Sequence, residues 1–283
     1  MSQIHSLINK PEGVKDLTGN SCITALIDAD SILYIVGWHY KDTDNTDHVR
    51  DAVDRFITEI LVKTKARQYA GFFSSKITFR NNIYSAYKAN RAETHPGIEK
   101  WKPYITEYCI QEWKFEKLSN YEADDAVAEL HRVMQNTVIC SPDKDLKQVP
   151  GNNFNYGKDV HSVIEPAEAL KNWAVQMLIG DTGDNIKGIP GMGKVGAAKL
   201  LVDVDFTDAQ AADNVVRKAY FKKFGDLVEY ELHCRLIGLG LPDAEIAYPY
   251  INTFELDNAA SSEYIRVPED QIGQDAEDLF GSW

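Results

Sequence analysis

The chain has 283 residues, of which 44% are hydrophobic and 26% charged, and its formal net charge is −13. Such a composition belongs to a globular chain with one large core or two modest ones. It excludes a bilayer-spanning protein, because the longest apolar runs, such as "ITALI" at 23–27, are far too short to cross.

The amino terminus, "MSQIHSLINKPEGVKDL", lacks the apolar stretch of a secretory leader. Cys22, Cys109, Cys140 and Cys234 are scattered and form no CxxC pair, so reduced thiols in a cytoplasmic protein are expected. Residues 23–28, "ITALID", read as a buried strand that ends in an aspartate. Across 47–67, Val49, Val53, Phe56, Ile57, Ile60 and Leu61 form a helical stripe. "YAGFFS" at 69–74 is a second buried strand. From Ser75 to Asn120 the periodicity weakens, and basic and aromatic residues interleave. "YEADDAVAELHRVM" at 121–134 predicts a helix with an acidic start, and "TVIC" at 137–140 a third strand, followed by "SPDKD". "NFNY" and "HSVIE" predict a small hairpin or a further strand. Pro166 suits the first turn of a helix running to Ile179. Beyond Gly180 the pattern is all-helical, over 194–202, 208–223 and 226–239. The alternation predicts an α/β fold with a mostly parallel central sheet and a helical C-terminal part. There are no internal repeats and no low-complexity segments.

The acidity is localised. From Phe254 onward the chain holds Glu255, Asp257, Glu263, Glu269, Asp270, Asp275, Glu277 and Asp278 against Arg266 alone. Nine further acids stand in clusters where strands end or helices begin: Asp28 and Asp30; Glu122, Asp124 and Asp125; Asp143 and Asp145; Asp181 and Asp184. With both sets removed the remainder is slightly basic, so the net charge does not exclude a DNA partner. Sites in open α/β sheets gather beyond the carboxyl ends of the strands. Acids meeting there need cations between them, and an all-oxygen set without His or Cys suits Mg²⁺ or Mn²⁺. Surface turns, helix N-caps and the helix dipole account for single members of the set, but not for the joint pattern.

"GIPGMGKVGAAKLL" reads as a tight turn between two helices. Gly188, Gly191, Gly193 and Gly196 allow positive φ or close backbone approach, and Lys194 and Lys199 add charge. The pattern is helix–hairpin–helix, which grips a phosphate backbone without reading bases. A Walker A spacing is absent.

The order "LIDAD", "YKANR", "YEADDAVAEL", "SPDKDL", "IGDTGDNIKGIPGMGKVGAAKLL" resembles the 5′-nuclease family, from about Ile23 to Leu239. That family includes flap endonucleases, the 5′-nuclease domains of bacterial DNA polymerases and short phage 5′→3′ exonucleases. The size looks most like the phage enzymes or a stand-alone bacterial homologue, which would place the chain in the cytoplasm, that of a host if phage-encoded. The resemblance implies a PIN-like core over 1–180, with a helical arch at about 76–120. It further implies a helix–hairpin–helix DNA-binding region over 181–253 and an acidic tail over 254–283. It implies two divalent ions, Mg²⁺ or Mn²⁺. One would be held by Asp28, Glu122 and Asp124 with Asp125 adjacent, the other by Asp143, Asp145, Asp181 and Asp184; Asp30 joins the set as the second acid of a D-x-D. A K⁺ ion at the glycine loop is a further expected cofactor. Lys88 and Arg91 would face the scissile phosphate beside Asp28 and Asp124, and Tyr84 and Tyr87 would stack on the single-stranded 5′ end. The expected substrate is DNA with a 5′ end, nick or flap, with an RNA–DNA hybrid as a second, cut by a monomer to give 5′-phosphate products. The acidic tail is expected to be solvated, with docking to a replication protein as the alternative. One departure stands out: an acid is implied just after the second strand, where "FFSSK" has Ser74 and Ser75.

Two other readings compete. "DADS" and "GDTGD" also resemble a haloacid-dehalogenase-type phosphatase, with Asp28 as nucleophile and Asp30 as acid–base, but this leaves "EADD", "DKD" and "GIPGMG" unexplained. The other is a non-catalytic DNA-binding member of the nuclease family.

Overall fold

The computed structural model describes residues 22–240 and the strand Asn252–Thr253. The acidic tail lies outside the described residues. Strand β1 (Ile23–Asp28) is apolar on both faces, as a central parallel strand must be. Ala25 and Ile27 point into one core and Leu26 into another, the period-two alternation of a strand. β1 pairs in parallel with β2 (Ala66–Phe73) on one side and β4 (Thr137–Cys140) on the other. The sheet runs β3-β2-β1-β4-β5-β6, with β3 (Glu116–Lys117) parallel to β2. β5 (Gly151–Asn155) is parallel to β4, and β6 (Val160–Ile164) returns antiparallel as the expected hairpin. β9 (Asn252–Thr253) pairs antiparallel with β2. Register sets Asp28 opposite Phe72 and Ile27 opposite Cys140, so the ends of β1, β2 and β4 share one edge.

One face of the sheet is covered by α1 (Asp30–His39), α2 (Thr46–Thr64) and α5 (Trp101–Gln111). The predicted stripe of α2 is the buried one, and its ends follow capping chemistry. Asn45 accepts from the N–H groups of Asp47 and His48 at 3.0 and 3.3 Å, and Lys65 closes the helix at φ 55°. The other face carries α6 (Ala123–Val133).

α1 and α5 depart from the sequence-based expectation. α1 is apolar on most of its circumference, which hides its period. α5 buries Trp101, Ile105 and Cys109 at four-residue spacing beneath exposed charge. α5 is thus part of the core, not of an arch. The expected helical arch reduces to α3 (Phe79–Ile83), turns through 85–90, an irregular stretch at 91–95 and α4 (Pro96–Glu99). Lys88, in the middle of the turns, adopts φ 56°, a left-handed conformation that ends any helix.

The helical half begins at Pro166 rather than at 181. α7 (Pro166–Ile179) packs Leu170, Trp173, Ala174 and Met177 against α8 (Lys194–Leu200), α9 (Ala209–Phe224) and α10 (Val228–Ile237). This half is not wholly helical. A short antiparallel ladder, β7 (Gly180–Asp181) with β8 (Ile186–Lys187), follows α7. It needs glycine at both crossings: a Cβ on Gly180 would lie 2.2 Å from the Gly188 nitrogen, and one on Gly188 2.3 Å from the Gly180 nitrogen.

Candidate metal centre and nucleic-acid interface

Asp28 ends β1 at 5% exposure. Its carboxylate accepts from the Asp30 backbone N–H at 3.2 Å and the Ser141 hydroxyl at 2.8 Å. Burial, then the charges of Asp30 and Asp143, push it up to about 8. Asp30 opens α1, yet its carboxylate reaches the end of β2, where it accepts from the Ser74 N–H at 3.0 Å and from the Ser74 hydroxyl. Ser74 Oγ accepts in turn from the Ala123 N–H at 2.8 Å.

Ala123 lies between Glu122 and Asp124 at the start of α6. Glu122 accepts from Lys88, from Arg80 at 3.1 Å and from the Tyr87 hydroxyl at 2.6 Å. Burial alone would raise its carboxyl, but Lys88 and Arg80 hold it below the ordinary value. Oxygens of Glu122, Asp124 and Asp125 lie within 4.8 Å of one another, close enough to share an ion. Asp124 Oδ1 is buried without a hydrogen-bond partner among the described residues. Burial, then Asp125 and Glu122, push Asp124 well above the ordinary carboxylate range. Asp125 differs from its two neighbours. Both its oxygens are taken by the Arg80 guanidinium, at 2.6 and 2.7 Å, and the N–H groups of Glu122 and Gly240 add bonds at 3.2 Å each.

The second group follows β4 and α7. Asp145 accepts from Gln176 Nε2 at 3.0 Å, and loss of water, then Asp143 and Asp181, push it up to about 8. The same Gln176 nitrogen donates to Asp181 at 3.1 Å, and Asp181 also meets Lys144 at 3.3 Å. Asp143 lies within electrostatic reach of both Asp28 and Asp184. Asp184 is bonded to Arg91 at 2.7 Å and to Tyr87 Oη at 2.9 Å, with Lys88 Nζ 3.8 Å away. Asp124 lines one narrow cleft together with Asp145, Asp181 and Asp184, so the two groups open onto one space. An all-oxygen donor set, an orphaned buried oxygen and carboxyls lifted by burial and then by one another's charge fit hard divalent cations.

Several residues assigned from sequence take other places. Tyr87 is 4% exposed, with its ring in the helical core, so it has no free face for a base. Tyr84 packs at the same core and bonds the Asn185 carbonyl at 3.4 Å. Arg80, one of the bases that interleave with aromatics after Ser75, is 1% exposed and also donates to the carbonyls of Leu236 and Gly238 at 2.9 Å each. Gly188 serves the β7–β8 crossing. Lys88 and Arg91 do face the acids. Gly191 (φ 86°) and Gly193 have open space where a Cβ would stand, beside exposed Lys194 and Lys199, and Gly196 lies against Met192. Ser141 and Gln176 escaped the sequence reading. Ser141 follows β4 directly, where the strand-end rule could have found it; Gln176 carries no local signal.

Residues 24–174, just over half of the chain, match the family described as 5′-3′ exonuclease, N-terminal resolvase-like domain. The chain belongs to this 5′-3′ exonuclease family. Among curated relatives, DNA polymerase I of Bacillus subtilis is 26% identical over 198 residues, covering 62% of this chain and 22% of the polymerase. DNA polymerase I of Rhizobium leguminosarum is 33% identical over 149 residues, covering 46% of this chain and 14% of the polymerase. The chain therefore spans about a fifth of the length of these polymerases or less. Among solved structures, a T5 5′-exonuclease with divalent metal ions (zinc) bound superposes with a TM-score of 0.53 at 14% identity, covering 77% of this chain and 98% of that one. A bacteriophage T5 flap endonuclease in complex with DNA and metal ions gives 0.50 at 13%, covering 76% and 97%. The mixed α/β architecture with a mainly parallel sheet is the PIN-like 5′-nuclease fold. Membership of this family removes the phosphatase alternative; its acid–base residue, Asp30, is bonded to Ser74. Among the described residues no helix is long and apolar enough to cross a membrane.

Proposed function

We propose that the protein is a divalent-metal-dependent 5′ nuclease that hydrolyses phosphodiester bonds of DNA, or of an RNA–DNA hybrid, at a 5′ end, nick or flap to leave 5′-phosphates. The observation that carries this is the convergence of acids from distant segments on one cleft, with Lys88 and Arg91 among them. Asp28, Glu122 and Asp124 would hold one Mg²⁺ or Mn²⁺, and Asp143, Asp145, Asp181 and Asp184 the other, with Asp125 bracing Arg80 beside them. Cations bound there supply positive charge against phosphoryl oxygens and acidify water at the site.

The protein's own residues do the rest. Glu122 and Asp184 outweigh burial and hold Lys88 above its ordinary value, so it stays a cation. Lys88 and Arg91 neutralise charge that builds on the phosphoryl oxygens. The exposed loop at 191–193, with Lys194 and Lys199, grips the duplex backbone some nucleotides away, with K⁺ as its companion ion. The phage T5 relative with DNA and metal ions supports the substrate class.

The test uses Mg²⁺ and end-labelled nicked, blunt and 5′-flap DNA, with the products sized. Shortening from the 5′ end is expected. Asp124→Asn and Asp184→Asn should keep DNA binding in Ca²⁺ and lose cleavage by at least about 100-fold. Undiminished turnover in both would refute the assignment, and unchanged wild-type substrate would favour a non-catalytic member.

A further inference from the structure

We infer that Ser74 is a positioning residue that carries the Asp30 carboxylate from the start of α1 to the acids at the start of α6, making Asp30 part of the cation-binding set. This rests on those acids holding cations as proposed above. By sequence Asp30 belongs to the turn after β1. An acid at a helix start ordinarily serves its own helix's free amides, but α1 has no side-chain cap bond. The Asp30 carboxylate instead crosses to the neighbouring strand. There the Ser74 N–H donates to one oxygen and the Ser74 hydroxyl to the other.

A serine hydroxyl has one proton to give and two lone pairs. Its proton goes to Asp30, and one lone pair receives the Ala123 N–H at 2.8 Å. Each engaged partner lies on a different element, so the hydroxyl cannot turn without breaking a bond. Ala123 stands between Glu122 and Asp124, and Asp30 lies within electrostatic reach of Glu122, Lys88 and Asp28. Drawing another carboxylate toward Glu122 and Asp28 works against folding, because like charges at short range repel. In the fold alone, the two bonds from Ser74 offset only part of that repulsion. A cation turns the same arrangement favourable.

The experiment measures Mn²⁺ binding by calorimetry and metal-free melting for wild type, Asp30→Asn, Ser74→Ala, Ser74→Thr and, as control, Asp124→Asn. Asparagine keeps the shape and an acceptor for the Ser74 N–H, removes the charge, and puts an amide donor where the second oxygen accepted from the Ser74 hydroxyl. Asp30→Asn and Ser74→Ala should each weaken Mn²⁺ binding by about 10- to 100-fold. Ser74→Thr, which keeps the hydroxyl, should bind as wild type. Metal-free Asp30→Asn should melt close to wild type, since relief of repulsion offsets the bond lost from the Ser74 hydroxyl. Wild-type Mn²⁺ affinity in Asp30→Asn or in Ser74→Ala, with Asp124→Asn impaired, would overturn the inference and leave the proposed cation site standing. A lowered metal-free melting point with unchanged affinity would make Asp30 purely structural. Absence of Mn²⁺ binding in the wild type would instead bring down the proposed function itself.

Discussion

A tyrosine hydroxyl has one proton to donate, and Tyr87 stands between two carboxylates, Glu122 at 2.6 Å and Asp184 at 2.9 Å. Burial, then Glu122, pushes the phenol far above its ordinary value, so that proton stays in place. Tyr87 therefore joins acids from two distant segments, a task invisible in "YKANR", where its neighbours point to base stacking. Arg80 is similar. In sequence it is one more base in a basic strip; in the fold it is the counter-ion of Asp125 and Glu122. Removing one partner of a buried ion pair leaves the other uncompensated, at about 3–5 kcal/mol. Arg80→Met should lower the unfolding free energy obtained from urea titration by an amount in that range; a change near zero would show that the pair contributes nothing. What was legible at this scale was the type of residue and its place at a strand end. What was not legible was partner choice, because that depends on which segments the topology brings together.

Among the elements, those with a strong single period read correctly: β1, α2, β4, α7 and the β5–β6 hairpin. α1 escaped because it is apolar nearly all round, and α5 because its buried face is only Trp101, Ile105 and Cys109. The glycine string was legible as a special backbone, but its members do different work. Gly180 and Gly188 permit two backbones to touch, whereas Gly191 needs only its positive φ and faces open space. Gly188→Ala should therefore unravel the β7–β8 ladder and lower the melting point strongly. Gly191→Ala should cost about 1 kcal/mol from its left-handed backbone alone. Thermal melts of the two variants check this, and equal losses would contradict the separation of roles.

Taken as a whole, the molecule gathers like charge at one sheet edge. Asp28 and Asp145 have ordinary values of 3.8 and are pushed up to about 8 in the folded state. Between these values the folded protein holds protons that the unfolded chain has released. Their contribution to stability is thus complete below about pH 4 and is lost as the pH rises through about 8. Without metal, the melting temperature is expected to fall from about pH 5 to about pH 8. Mg²⁺ should raise it increasingly over the same interval, since binding displaces those protons. Melts in chelator and in Mg²⁺ decide the point, and a metal-free melting temperature that climbs with pH would contradict it.

The Arg80 fork has a mechanical consequence. Its guanidinium grasps Leu236 and Gly238 at the end of α10 with some of its nitrogens, and Glu122 and Asp125 with others. The lobe that bears the glycine loop is thereby bolted to the acids. If the loop grips and the acids cut as proposed, the distance between the two is set by the protein's own dimensions, like a ruler laid along the duplex. Loosening the bolt should smear the ladder of product lengths before it slows the cutting.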